Sequence, residues 1–276
     1  MTIFRAHSTA PWQTPLSLPA WQELWRMFSD RGPMPVVLDL PRSDGVLPKR
    51  ESAEQVRRLR ADLVAGGYAV RAGESVRPSQ EVQTMLRVLA RPHREVDLRM
   101  NIRGESVRML AAAPLRGNVV RVTIHEAPDV LDSVVAIESV ETSAPELAAV
   151  ELLPPSPGPG RIRARSIPVD QLERAIDGYR SHRFIDALTT HIGKAAGEVH
   201  ELLRHGHTMR AKFGIAARDA KGSRVRHPFA LVVHDSAQAR HVLARRGAHI
   251  TIDRADDRQI MTMLGQRLSE LTDRAW

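Results

Sequence analysis

The chain runs through one structural plan twice. Residues 20–91 carry apolar side chains at helical spacing, and 95–140 break into short segments that alternate with period two. After a linker, 168–205 reads as helices again and 208–252 as strands again, and each half closes on a further helical stretch. No catalytic signature is laid over either copy. A duplicated helices-then-meander plan without chemistry of its own points to a surface that grips something.

The local signals are consistent with that plan. Thr14–Leu18 can add an edge strand ahead of a helix in which Trp21, Leu24, Trp25 and Phe28 fall at i, i+3, i+4 and i+7, the spacing of a buried face. Ser52 followed by Gln55 is the pattern of a capping box, and Gly66-Gly67 offers the left-handed geometry that stops a helix. Val82, Met85, Leu86 and Leu89 predict the next helix, between Pro78-Ser79 and Pro92. In 95–101 the period changes: Val96, Leu98 and Met100 alternate with Asp97, Arg99 and Asn101, which describes a half-buried antiparallel strand. Val107 and Met109, then Val120, Val122 and Ile124, then Val135 and Ile137 continue the meander, and Pro145–Leu153 predicts a short helix.

Residues 154–160, four prolines and two glycines broken only by Ser156, form the clearest linker, dense enough in proline to run extended. Arg161–Pro168 then predicts a strand that echoes Thr14–Pro19. Helices follow at Val169–Ile176 and near Arg183–Arg204. Phe213–Arg218 and Arg224–His234 flank a hairpin turn at 219–222; Arg240–Arg245 and His249–Asp253 complete the second meander, and the last helix spans about Ala255–Thr272. The string Gly-Glu-Ser-Val-Arg occurs at 73–77 and 104–108 and reads as coincidental use of good turn residues.

Several classes of chemistry are excluded. The chain has no cysteine, so disulfides, thiolate catalysis and cysteine zinc sites are out. His200 and His205 are five apart, which turns their side chains about 140° from each other on a helix and cannot reproduce the His-Glu-x-x-His zinc pair. There is no phosphate loop, dinucleotide fingerprint or nucleophile elbow. The expectation is a protein that is not an enzyme and needs no cofactor or metal. Arg5 is followed by Pro11, Pro15 and Pro19 rather than an apolar core, and no run approaches 18 apolar residues, so the chain reads as cytoplasmic. The net charge of +8 rests on 40 basic against 32 acidic residues, almost all of the basic ones arginine. That keeps a nucleic-acid-binding regulator as the alternative function, with Arg57, Arg58 and Arg60 on one helix and Arg161, Arg163 and Arg165 on one strand face as its phosphate track.

The stretch Met85–Pro92 running into Arg94–Arg99, the Pro-Gly linker before Arg161–Pro168, Phe213–Asp219 and Gly247–Arg254 before the last helix together resemble the EspG family of type VII (ESX) secretion proteins, over about residues 14–272. The resemblance implies one α+β domain over residues 1–276, with a central antiparallel β-sheet flanked by helical bundles. Its quasi-two-fold halves would be 14–153 and 161–272, joined by the linker 154–160. It further implies a chaperone that holds PE–PPE-type helical heterodimers, covering an apolar tip of the client. Mapped onto this sequence, the resemblance implies a contact surface made by the sheet, the loop Met100–Glu105 (Met100, Asn101, Ile102 and Arg103 foremost) and the helical bundle Phe184–Leu203 with Ala255–Leu271 (Phe184 and Leu188 foremost), and no small-molecule substrate is called for. Met100 also continues the inward alternation of its strand, so core packing competes with client contact at that position.

Overall fold

In the computed structural model, residues 14–28, 34–38, 52–158, 164–173, 207–237 and 239–273 are described. They build an eleven-stranded antiparallel sheet and a small separate hairpin. The elements of the first half are β1 (Leu16–Ser17), α1 (Leu18–Met27), α2 (Ala53–Ala65), β2 (Ala69–Ala72), β3 (Ser75–Pro78), α3 (Gln80–Ala90), β4 (Arg94–Ile102), β5 (Glu105–Ala113), β6 (Val119–Glu126), β7 (Val134–Val140) and α4 (Pro145–Val150). The second half contributes β8 (Arg165–Pro168), β9 (Met209–Arg218), β10 (Arg224–Arg226), β11 (Leu231–Asp235), β12 (Arg240–Arg246), β13 (His249–Arg254) and α5 (Asp257–Asp273).

The strand order is β1-β7-β6-β5-β4-β9-β11-β12-β13-β8, with β10 paired to the far end of β9. Read outward from the centre, each half gives its first meander strand, then the next three in turn, then the short strand that preceded its helices. The two halves therefore share one topology. They meet where β4 and β9 pair antiparallel over nine positions, from Arg94↔Ala217 to Ile102↔Met209, with Leu98 opposite Phe213 at the middle.

Strand alternation splits the core in two. Val96, Leu98, Met100, Met109, Ala111, Phe213, Ile215, Leu231 and Val233 face one side, where α4 and the Ile260-Leu264-Leu268-Leu271 stripe of α5 cover them. Leu110, Ala112, Val120, Val122 and Ile137 face the other, under the Trp21-Leu24-Trp25-Phe28 face of α1 and the Val82-Met85-Leu86-Leu89 face of α3. Ser17 caps α1, and Ser52 with Gln55 forms the reciprocal capping box at the start of α2. Glu23, almost fully buried on α1, accepts from Arg26 (2.7 Å) and from Arg60 of α2 (2.8 Å), so one cation of the supposed phosphate track is spent holding two helices together.

Two sequence expectations need correction. The interval read as helices with plain connections, 20–91, contains the β2–β3 hairpin between the second and third of them. Its turn is the first Gly-Glu-Ser-Val-Arg string, and the β4–β5 turn is the second, so both copies build two-residue hairpins with glycine at positive φ (Gly73, 62°; Gly104, 92°). The string enters the two strands one residue out of step: Gly73 opens its turn, whereas Gly104 follows Arg103, itself at φ 50°. The span Arg224–His234 is also not one strand. Pro228 has no N–H to give a ladder, and the chain leaves β9 after His227 donates to the Ile215 carbonyl (2.9 Å), returning as β11.

The linker is anchored by a buried cation. Arg240 is fully buried and bonds both Asp235 oxygens (2.7 Å each), Asp257 at the start of α5, and the Pro154 carbonyl (2.8 Å). Its backbone N–H donates to the Gly158 carbonyl (2.9 Å). Burial works against the guanidinium charge, but Asp235 and then Asp257 outweigh it and hold the pKa up. Asp235→Asn leaves that cation short of its main counter-ion, and should cost about 3–5 kcal/mol in urea unfolding. The paired replacement Asp235→Leu with Arg240→Met should cost less than the single change, because no uncompensated charge stays inside.

Candidate interaction surface

The face of the sheet opposite α4 and α5 is covered by α1 and α3 over β5–β7. Over the central strands β4 and β9, no described element crosses it. Alternation places Glu95, Asp97, Arg99 and Asn101 of β4 there, with Arg210, Lys212, Gly214 and Ala216 of β9 beside them. The central seam thus presents a strip that is almost wholly polar.

At one end of the strip the charges are paired. Arg224 donates to Glu95 through Nε (2.8 Å) and Nη2, and Arg226 lies 2.7 Å from Asp97. These arginines come from β10 and reach over β9 to β4. They can do so because the residues between are Gly214 and Ala216. A Cβ on Gly214 would sit 2.5 and 2.8 Å from the Asp97 carboxylate oxygens and closer still to the Arg226 guanidinium. Any side chain at 214 would have to push the pair apart.

At the other end the cations have no such partners. Arg99, Arg210 and Lys212 are exposed, and their side chains make no ion pair or hydrogen bond among the described residues. Arg99 lies directly opposite Lys212 on one side and Arg108 on the other. Of that row of three, only Arg108 is paired, to Glu126. Like charges set opposite one another across a sheet are destabilising. A row of them on an open face is the arrangement an acidic surface would relieve.

The β4–β5 turn closes this end. Arg103 and Gly104 both have positive φ, the geometry of a tight two-residue hairpin. Asn101 accepts from the Gly104 N–H (3.3 Å), and the Arg103 N–H donates to the Thr208 carbonyl (3.2 Å), fixing the turn against the entry to β9. Of the residues expected to touch a client, Asn101 and Arg103 are exposed. Ile102 is half-buried against the α5-side core. Met100 is 4% exposed and belongs to that core, so the inward alternation prevails over the contact reading. Phe184 and Leu188 lie outside the described residues, as do His200, His205, Arg161 and Arg163.

Sequence reasoning missed the row itself. Arg99 was visible as one polar position of a strand, but its neighbours Arg108 and Lys212 are set by pairing, and Lys212 is 113 positions away along the chain. Beside the row, His234 is 1% exposed and stands across from Arg210, with the His207 ring 4.8 Å from its own. Burial, followed by His207, Arg210 and His241, lowers its pKa from 6.5 to about 4.

The EspG family model matches residues 20–266. The chain belongs to the EspG family. No curated protein sequence matches it. Among solved structures, the type VII secretion chaperone EspG5 of Mycobacterium tuberculosis, in complex with a PE25–PPE41 dimer, superposes with a TM-score of 0.64. The identity is 14%, with 94% of this chain and 96% of that chain covered, so the likeness is one of fold. The α+β architecture with a large antiparallel sheet is thus the EspG fold, and no helix among the described residues is long and apolar enough to cross a membrane.

Two outcomes test the geometry of this EspG-family sheet. Gly214→Ala should lower stability by about 1–3 kcal/mol through overpacking against Asp97 and Arg226. Adding Arg226→Ala should recover part of that loss in urea unfolding. Because the folded state holds His234 neutral while the unfolded chain protonates near 6.5, stability should fall as pH drops from about 6.5 towards about 4 and level off below. His234→Phe should flatten that part of the pH profile.

Proposed function

We propose that this EspG-family chain is a non-enzymatic cytoplasmic chaperone that binds a PE–PPE-type helical heterodimer and keeps it soluble for type VII secretion. The support is family membership, the fold shared with a chaperone solved on such a dimer, and one feature of this molecule: the central strip beside the Asn101–Arg103 turn, which no described element crosses. The strip is broad, rigid because it is the middle of an eleven-stranded sheet, and carries side chains held by neighbours on both sides. Such a surface selects a partner by shape and charge without rearranging.

The exposed side chains there change what the contact is made of. Apolar Met100 points inward, while Asn101, Arg103, Arg99, Arg210 and Lys212 point out. Client recognition at the sheet is therefore carried by charge and hydrogen bonding, with apolar masking of the client's tip left to Ile102 and to Phe184 and Leu188, which lie outside the described residues. Electrostatic complementarity of this kind contributes most to partner choice and association rate.

The same unpaired cations give the second reading, a nucleic-acid-binding regulator, its only local argument. Against it, Glu95, Asp97 and Glu126 lie on the same face, and Arg60 is engaged with Glu23. Salt alone does not separate the readings, since both contacts involve cations; direct competition does.

Co-expression with PE–PPE pairs encoded in the same genome, followed by gel filtration, should yield a soluble ternary complex that a 20-base-pair DNA duplex does not displace. Arg99→Glu combined with Lys212→Glu should weaken that complex by roughly 100-fold, reversing two charges at its centre. Absence of a complex with every such pair, together with salt-sensitive DNA binding, would favour the regulator.

A further inference from the structure

On the α5 side of the sheet, away from the cationic strip, the segment after β10, the β12–β13 turn and the outer part of α5 enclose a pocket of about 270 Å³. Its charged lining is Arg245, Arg246, Arg267, His227 and Glu270, with Phe229 as the apolar wall. We propose that this pocket binds a phosphate-type oxyanion, free or as the terminal group of a small phosphomonoester. The site is independent of the client-binding reading.

The buried cation carries the inference. Arg267 is 7% exposed, and among the described residues its guanidinium makes a single hydrogen bond, from Nη1 to the Phe229 carbonyl (3.1 Å). A guanidinium has five N–H donors, and an arginine this deeply buried is ordinarily matched by a carboxylate. Leaving it unmatched costs several kcal/mol, which is the reason buried charges are paired almost without exception. Arg240, elsewhere in this molecule, shows the usual solution with two aspartates. Arg267 has none.

Its neighbours sharpen the deficit. The adjacent charge on β12 is Arg246, another cation, and burial followed by Arg246 pushes the Arg267 pKa down, with Glu270 acting the other way. Glu270 forms no ion pair with Arg267; it is half-exposed on the rim, 3.9 Å from His227 Nε2. Arg245 is held with its guanidinium 4.9 Å from the centre of the Phe229 ring and its Nε on the Gly247 carbonyl (3.0 Å), which fixes its terminal N–H groups in place. Three guanidinium groups against one carboxylate give the lining a net charge of +2 with His227 neutral.

An oxyanion answers each point. Its oxygens accept from the free donors of Arg267 in the fork geometry that arginine offers to phosphate. It sits between Arg267 and Arg246 and converts their repulsion into attraction to a shared counter-ion. His227, when protonated, adds a donor, and Glu270 at the rim can accept from a protonated phosphate oxygen or from a hydroxyl of an attached group. The volume lies just below the usual range for small-molecule pockets, which suits phosphate with a short substituent rather than a nucleotide.

The test uses the full chain in a buffer free of phosphate and sulfate. Titration with inorganic phosphate and with phenyl phosphate, followed by calorimetry and thermal unfolding, should show saturable binding and a rise in Tm, and sodium chloride at matched ionic strength should do neither. Arg267→Gln should abolish saturable binding. Because that change lies inside the fold, Arg246→Gln on the exposed rim is the second variant: it should keep or raise the Tm without anion, by relieving repulsion, and weaken phosphate at least 10-fold. Tighter binding of phenyl phosphate than of phosphate would assign the ester as the better ligand, and the reverse the free anion. Equal effects of phosphate and chloride, or phosphate affinity unchanged in Arg246→Gln, would overturn the proposal. Neither outcome bears on whether a PE–PPE pair binds the strip.

Discussion

Everything in this molecule is organised around the pairing of β4 with β9. Nine residue pairs join the two half-sheets in a single register, and that register settles two things together. Val96, Leu98 and Met100 are brought beside Ala211, Phe213 and Ile215, which closes the core beneath α4 and α5. The intervening residues bring Asp97, Arg99 and Asn101 beside Gly214, Lys212 and Arg210, which makes the polar strip. A slip of one residue would exchange the two faces, exposing the core and burying the charges. The cost of that exchange is what holds the strip in place, so the surface is specified by the core behind it.

The seam also explains why small residues stand where they do. Gly214 and Ala216 give β9 a low profile between β4 and β10, and two arginines cross it to carboxylates on the far strand. One end of the strip is thereby neutralised and stiffened. The other end keeps Arg99, Lys212 and Arg210 without counter-ions among the described residues. One rigid surface thus carries a paired end and, among the described residues, an end without counter-ions.

Much of the fold could be read in the sequence because its signals are local. The four-residue aromatic and leucine face of α1, the Ser52–Gln55 cap and the period-two alternation of β4 each depend on neighbours within a turn or two. The helices-then-strands order of each half is local in the same way. What failed was of two kinds. The β2–β3 hairpin was hidden because Ala69–Ala72 and Ser75–Pro78 are short and weakly apolar, with only half of their residues turned from solvent, so no periodicity announced them. The strip was hidden because strand pairing across more than a hundred residues is not written in either strand alone. Met100 shows the middle case: its alternation pointed inward, a resemblance pointed outward, and burial follows the alternation.

The absence of cysteine makes the central claim directly measurable, since any thiol introduced is the sole one in the chain. Ser106 lies on β5 in the row with Asn101 and Arg210, while Leu115 stands 73% exposed beyond the opposite end of the same strand. The rate at which a maleimide modifies Ser106→Cys, with and without a saturating PE–PPE heterodimer, reports whether the strip is covered. The account predicts strong protection of Ser106→Cys and none of Leu115→Cys. Equal reactivity of Ser106→Cys in the free and complexed chain would place the client elsewhere and contradict it.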